Sequence, residues 1–275
     1  MLIGLTIVAI GTSLPEIFIT ITSAIDGHSD LIIGNAIGSC ICNFLFVIGT
    51  SSLVRPIKFD NKIIRRHLPI SIIAMLLLLL LGNTTKLGEN HIIGGWQAII
   101  LLLYAVIYII YTIYEEKKLK NKQIDDEIIK DVESKELKSI WLIIIFFILG
   151  ILGLKFGSDF VVDNSILIAE ALGLSERFIG MTIVAIGTAL PEIITGIIAA
   201  RKNESDLLLG NIIGSNIFNL CLLIGLGSII NPLTFTNDFN SSIFVLIAVT
   251  IYLQFVETIN KNNGLDRKRG ILLII

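Results

Sequence analysis

The chain has 275 residues, 54% of them hydrophobic, and a formal net charge of −2 from 21 Lys and Arg against 23 Asp and Glu. The near balance of charge leaves no large basic face for nucleic acid, and the apolar residues fall in long runs of the kind a bilayer requires, where a spanning helix needs about 20 of them. A soluble domain of this length has no use for so much apolar surface.

Nine apolar segments, lettered A to I, follow along the chain at 1–25, 31–53, 68–82, 92–114, 140–172, 177–200, 206–230, 240–257 and 270–275. Met1 leads into segment A without a basic leader, so no signal peptide is expected. Segment C is short and is preceded by Arg65 and Arg66. The stretch after segment D, Glu115 to Ser139, is the one long polar connection, with seven Lys against eight Asp or Glu. Ile124, Ile128, Ile129 and Val132 recur in it at helical spacing, which fits a short amphipathic helix as well as a solvated linker. Segment I has six residues and cannot span. The loops B–C, D–E, F–G and H–I carry 18 Lys and Arg, the alternate loops only Lys86 and Arg177. The positive-inside rule therefore assigns the first set, with the 115–139 linker, to the cytoplasm. His28, His67 and His91 fall in connecting segments with no partner at ligand spacing. Cys40 and Cys42 are two apart and do not share a helix face, so neither a disulfide nor a soft-metal site is expected of them or of Cys221.

A shift of 176 residues aligns the chain with itself. Gly4 to Gly49 matches Gly180 to Gly225 without a gap, with identity at 26 of 46 positions. The first copy reads TIVAIGTSLPE (Thr6 to Glu16) and GNAIGSCICN (Gly34 to Asn43). The second reads TIVAIGTALPE (Thr182 to Glu192) and GNIIGSNIFN (Gly210 to Asn219). Segments A and F are five spans apart, an odd number, so the copies run through the membrane in opposite directions. Inverted repeats around a midplane site are the mark of secondary transporters, in which each copy can close one side. The fold expected is an all-α integral membrane protein with two inverted-topology repeats: a first half over 1–114, the cytoplasmic linker 115–139, and a second half over 140–275.

The repeated segments carry the chemistry. Glu16 and Glu192 are carboxylates inside apolar helices, where a charge costs at least about 2.5 kcal/mol and is kept for function. Thr12 and Glu16 are four apart, as are Thr188 and Glu192, which puts each pair on one helix face. Pro15 and Pro191 have no N–H to give to the carbonyls of Gly11 and Gly187, so these and neighbours such as Ala9 and Ala185 can turn toward an ion. On the partner segments Ser39 and Asn43, and Ser215 and Asn219, add hydroxyl and amide oxygens at the same spacing. Gly34 and Gly38, like Gly210 and Gly214, permit close helix approach. An all-oxygen set with two negative charges suits hard cations such as Ca²⁺ and Na⁺ rather than softer metals. Asp159 and Asp163, with Lys155, are a secondary acidic candidate on segment E that can neutralise itself at four-residue spacing.

In GTSLPE (Gly11 to Glu16), GTALPE (Gly187 to Glu192) and the two GN-x-IGS-x-x-x-N segments, the chain resembles the sodium/calcium exchanger family of the cation/calcium antiporter superfamily. That resemblance implies ten transmembrane helices in two inverted halves of five. In this chain the first helix would be absent and the last truncated. It implies exchange of Na⁺ influx for Ca²⁺ extrusion, with Ala9, Thr12, Ser13, Glu16, Ser39, Asn43, Ala185, Thr188, Glu192, Ser215 and Asn219 as ion ligands and no cofactor. The chain departs from the family at Ala189, where members commonly carry Ser. Asn219, where some relatives carry Asp, argues for a potassium-independent exchanger. The expected partners are the lipid bilayer of the cell membrane and the two transported ions. A Ca²⁺/H⁺ antiporter using the same carboxylates is the alternative within transport, and a cation channel is the alternative of another class. No Ser/His, paired-Asp or HExxH pattern points to an enzyme.

Overall fold

The computed structural model describes residues 9–60, 62–88, 90–120, 160–168, 171–259 and 264–274, with isolated positions between 145 and 157. Segment A is not one helix but two, α1 (Ala9–Thr12) and α2 (Leu14–Asp26), separated at Ser13. Pro15 stands in the first turn of α2, where its missing N–H costs nothing, and forbids continuous helical bonding across the break. Gly27, at φ +85°, ends α2 in the left-handed conformation, and the chain reverses into α3 (Ser29–Val54). Next come α4 (Ile63–Gly82) and α5 (Gly95–Lys120). Residues 160–168 are helical. The second repeat then retraces the first. α6 (Glu176–Thr188) and α7 (Leu190–Lys202) are bent by 43° at Ala189, and α8 (Ser205–Ile230) follows. A shift of 176 carries α2 onto α7 and α3 onto α8 end for end. The last elements are α9 (Asn237–Ile259) and α10 (Arg267–Ile274).

Several boundaries differ from the expected ones. Segment C begins at Ile63 rather than residue 68, through a π-helical turn over Ile63–His67. His67 is therefore not in a connecting segment but fully buried inside α4. Its Nε2 lies 3.3 Å from Glu115 Oε2, and its ring lies beside Tyr108 and Tyr111. Segment D starts at Gly95 because Asn90–Ile93 is spent on a strand. Segments H and I each extend a few residues beyond the apolar runs. The proposed amphipathic stretch of the 115–139 linker, Lys155 and Asp159 lie outside the described residues.

The small sheet was not expected in an all-helical chain. β1 (Lys86–Leu87), β2 (Asn90–Ile93) and β3 (Leu233–Phe235) pair antiparallel in that order, with His91 opposite Phe235 and Ile93 opposite Leu233. This ties loop C–D to loop G–H. At the opposite end an isolated bridge joins Ile57 to Leu265, tying loop B–C to loop H–I. The pairings thus sort these loops into the same two sets that the Lys and Arg count separates.

α3 and α8 form the centre. Every residue from Leu31 to Cys40 and from Leu208 to Cys221 is buried. α5 and α9 instead expose apolar stripes, including Ile99, Leu103, Ile107 and Ile110 on the one and Phe244, Ile251 and Phe255 on the other, as helices facing acyl chains do. The centre is tight because glycine makes it so. A Cβ on Gly38 would lie 2.5 Å from the Met181 carbonyl oxygen, and one on Gly34 would lie 2.8 Å from that of Arg177. α3 of the first repeat therefore packs backbone to backbone on α6 of the second.

Candidate cation site

The helix breaks place the two acids. Glu16 and Glu192 each occupy the first turn of the helix after a break, and each is 1% exposed. Anions are stabilised at helix N-termini by the unpaired N–H groups there, which partly explains how these carboxylates are tolerated. Even so, Oε2 of each glutamate has no hydrogen-bond partner among the described residues.

The partners of the two acids are crossed between repeats. The four-residue spacing puts Thr12 and Glu16 on one face, and packing adds a neighbour from the other repeat to each acid. The Thr12 hydroxyl interacts with Glu192, and the Thr188 hydroxyl with Glu16. Ser215 Oγ donates to Glu192 Oε1 at 3.4 Å. Ser39 and Thr188 meet hydroxyl to hydroxyl at 3.3 Å, again across the repeats. The two carboxylates lie within electrostatic reach of one another. Two half-sites result, one around Glu16, Ser39 and Thr188, the other around Glu192, Ser215 and Thr12. Each contains residues of both copies.

Ala9 and Ala185, whose carbonyls were expected to turn inward, lie 3.4 Å from the hydroxyls of Thr12 and Thr188 respectively. Ser13 is buried and its Oγ has no partner among the described residues, while its repeat mate Ala189 is equally buried. One turn beyond Ser39, Asn43 Nδ2 donates to Asn216 Oδ1 at 3.0 Å, and its own Oδ1 has no partner among the described residues. Asn219 is buried with neither amide atom paired among the described residues. All eleven expected residues are buried, and their contacts draw together a polar layer of Thr12, Thr188, Ser39, Ser215 and the two glutamates. Asp163, the described member of the secondary acidic candidate, is exposed on the helix over 160–168 and is not part of it.

Three residues of this layer were missed. Asn35 and Asn211 accept from the threonine hydroxyls, and Asn216 faces Asn43. The first two were visible in principle. Asn35, Ser39 and Asn43 form a stripe at four-residue spacing, as do Asn211, Ser215 and Asn219, and the stripe simply starts one turn earlier than the reading began it. Asn216 had no such signal, because its repeat mate is Cys40, whose thiol donates to the Asn216 carbonyl at 3.5 Å.

A layer rich in unpaired acceptor oxygens, two of them on carboxylates, lacks positive charge. Among the described residues no Lys or Arg reaches the carboxylates. Burying such oxygens without compensation costs several kcal/mol, and a hard cation provides the missing partner. A cavity of about 450 Å³ reaches the layer at Thr188, lined by Pro15, Ile19, Phe160, Asn164 and Gly187 among others.

Comparison with known proteins gives the same direction. The family model described as sodium/calcium exchanger protein matches residues 1–114 and 142–275. Putative antiporter CaxA of Alkalimonas amylolytica is 34% identical over 282 residues, covering 100% of this chain and 85% of that protein. Sodium/calcium exchanger MaX1 of Methanosarcina acetivorans is 29% identical over 99% of this chain and 85% of its own length. The solved structure of the sodium-calcium exchanger NCX_Mj soaked with 10 mM Na⁺ and zero Ca²⁺ superposes with a TM-score of 0.69 at 30% identity, covering 99% of this chain and 83% of that one.

Proposed function

The chain belongs to the sodium/calcium exchanger family, and from that premise we propose that it exchanges Na⁺ for Ca²⁺ across the cell membrane by alternating access. The observation that carries this reading is the pair of buried carboxylates, each with an oxygen that has no hydrogen-bond partner among the described residues, in a layer to which both repeats bring hydroxyls. One Ca²⁺ neutralises two carboxylates, and so do two Na⁺. Adding Ca²⁺ to a site already holding two Na⁺ leaves +2 uncompensated in a low-dielectric interior, where like charges repel strongly. The two loads therefore compete, and competition for one site converts a binding protein into an exchanger. The ligands are the eleven residues Ala9, Thr12, Ser13, Glu16, Ser39, Asn43, Ala185, Thr188, Glu192, Ser215 and Asn219.

The crossed pairing suits alternating access. Each half-site takes oxygens from both copies, so a small displacement of one copy against the other changes both half-sites together. The halves 1–114 and 140–275 are the bodies that would move, joined by the linker 115–139 on the cytoplasmic side, where the Lys and Arg count puts it. Ca²⁺ uptake into vesicles separates the possible counter-ions. Uptake driven by an outward Na⁺ gradient at matched pH supports the proposal. Uptake driven only by a pH gradient makes the protein a Ca²⁺/H⁺ antiporter, and Ca²⁺ conductance without counter-flux makes it a channel.

A further inference from the structure

We propose that Asn211 and Asn35 are positioning residues that hold the proton of a site threonine away from the transported ion; this rests on the exchange reading above. A threonine hydroxyl has one proton and two lone pairs. To coordinate a cation it must turn a lone pair inward and send its proton elsewhere. Thr12 Oγ1 lies 3.4 Å from the carbonyl oxygen of Ala9 and 3.4 Å from Asn211 Oδ1, and it also interacts with Glu192. Ala9 and Glu192 are themselves proposed ion ligands, so a proton left on either occupies an oxygen the ion needs. Asn211 is not a ligand, and its Oδ1 takes the proton without loss to the site.

The second half repeats the arrangement. Thr188 Oγ1 lies 3.4 Å from Ala185 O and 3.4 Å from Asn35 Oδ1, and Ser39 Oγ donates to the same Asn35 oxygen at 3.4 Å. One amide oxygen there serves hydroxyls from both repeats. Asn211 and Asn35 are 3% and 1% exposed, on the two most buried helices, so their acceptor oxygens see no competing solvent. Asn211 Nδ2 is spent on Thr195 Oγ1 at 3.4 Å, which orients its carbonyl side toward Thr12. Side chains that hydrogen-bond to a ligand from behind orient it and tune affinity through it.

The test is a double-mutant cycle of Asn211→Leu and Thr12→Val, reading the Na⁺ and Ca²⁺ concentrations for half-maximal exchange and the maximal rate in proteoliposomes. Leu keeps the branched heavy-atom skeleton of Asn, with somewhat more bulk, and removes the acceptor. Asn211→Leu is expected to raise both midpoints about fivefold, the effect of one ordinary hydrogen bond, with the maximal rate within about twofold. In the Thr12→Val background the same change is expected to add under twofold, because no hydroxyl proton remains to be placed. An equal shift in both backgrounds, or none in the wild type, overturns the proposal. If Asn211→Leu fails to assemble, Asn211→Asp decides: it keeps the acceptor and loses the donor, so its midpoints stay at or below wild type, and a fivefold rise overturns the assignment. A silent Thr12→Val overturns the site reading and this proposal together. A Thr12→Val shift without an Asn211→Leu shift removes the positioning role alone.

Discussion

Replacing Glu16 by Gln changes one atom's identity and one unit of charge. At about 4 Å and an effective dielectric near 20, a unit charge pair is worth about 4 kcal/mol, so the Glu16 carboxylate contributes about 8 kcal/mol to holding Ca²⁺ and about 4 to holding one Na⁺. The Gln carbonyl remains as a neutral ligand and returns part of this. Even if it returns half, Ca²⁺ loses about 4 kcal/mol, roughly a thousandfold in affinity, and Na⁺ about half as much free energy. The fold should survive, since Glu16 is 1% exposed with no partner for Oε2 among the described residues, and removing a buried charge relieves a cost. The measurement is Na⁺-gradient-driven Ca²⁺ uptake by purified, reconstituted Glu16→Gln, alongside its thermal unfolding midpoint. Uptake should be lost at every Ca²⁺ concentration that saturates the wild type, with the unfolding midpoint unchanged or higher. A Ca²⁺ midpoint within tenfold of wild type in a fully folded mutant would show that Glu16 does not face the ion, and the charge argument for exchange would fall with it.

Ala189→Ser restores the hydroxyl that its repeat mate Ser13 carries at an equally buried position; the Na⁺ midpoint for Ca²⁺ flux should fall severalfold with little change in the Ca²⁺ midpoint, and an unmoved Na⁺ midpoint would show that this hydroxyl is not a limiting ligand. Gly38→Ala drives a methyl to 2.5 Å from the Met181 carbonyl, so overpacking should cost about 1–3 kcal/mol or more, read as a lowered unfolding midpoint in detergent, whereas Gly11→Ala, with open space around its Cβ position, should be neutral in the same assay. Single cysteines placed at Lys86 and Lys58 in a background lacking Cys40, Cys42 and Cys221, all buried, should react with an impermeant reagent from opposite sides of the membrane; labelling from the same side would contradict both the Lys and Arg count and the strand pairing of the loops.

The sequence by itself determined a great deal here, because a bilayer constrains a chain severely. The long apolar runs read as spans, and the Lys and Arg concentrate on alternate loops. The 176-residue shift across an odd number of spans then required inverted repeats, and two acids in duplicate apolar settings required a compensating charge. Side-chain type and spacing along one helix carry that information. They do not say where a helix stops being continuous or which neighbour it meets. Four-residue spacing puts Thr12 and Glu16 on one face but is silent on the second repeat, which backbone contact at Gly34 and Gly38 brings close enough for Thr188 to stand by Glu16. A repeat read along the chain pairs each residue with its equivalent, not with its contact, so the exchange of Thr12 to Glu192 and of Thr188 to Glu16 existed only once the helices were packed. The same holds for Asn216, opposed to Asn43 although its repeat mate is a cysteine, and for the sheet that joins β2 to β3 from loops far apart in sequence. Tertiary packing alone decides these, since the distance between two helices depends on which of their faces carry glycine and on every other helix that presses them together.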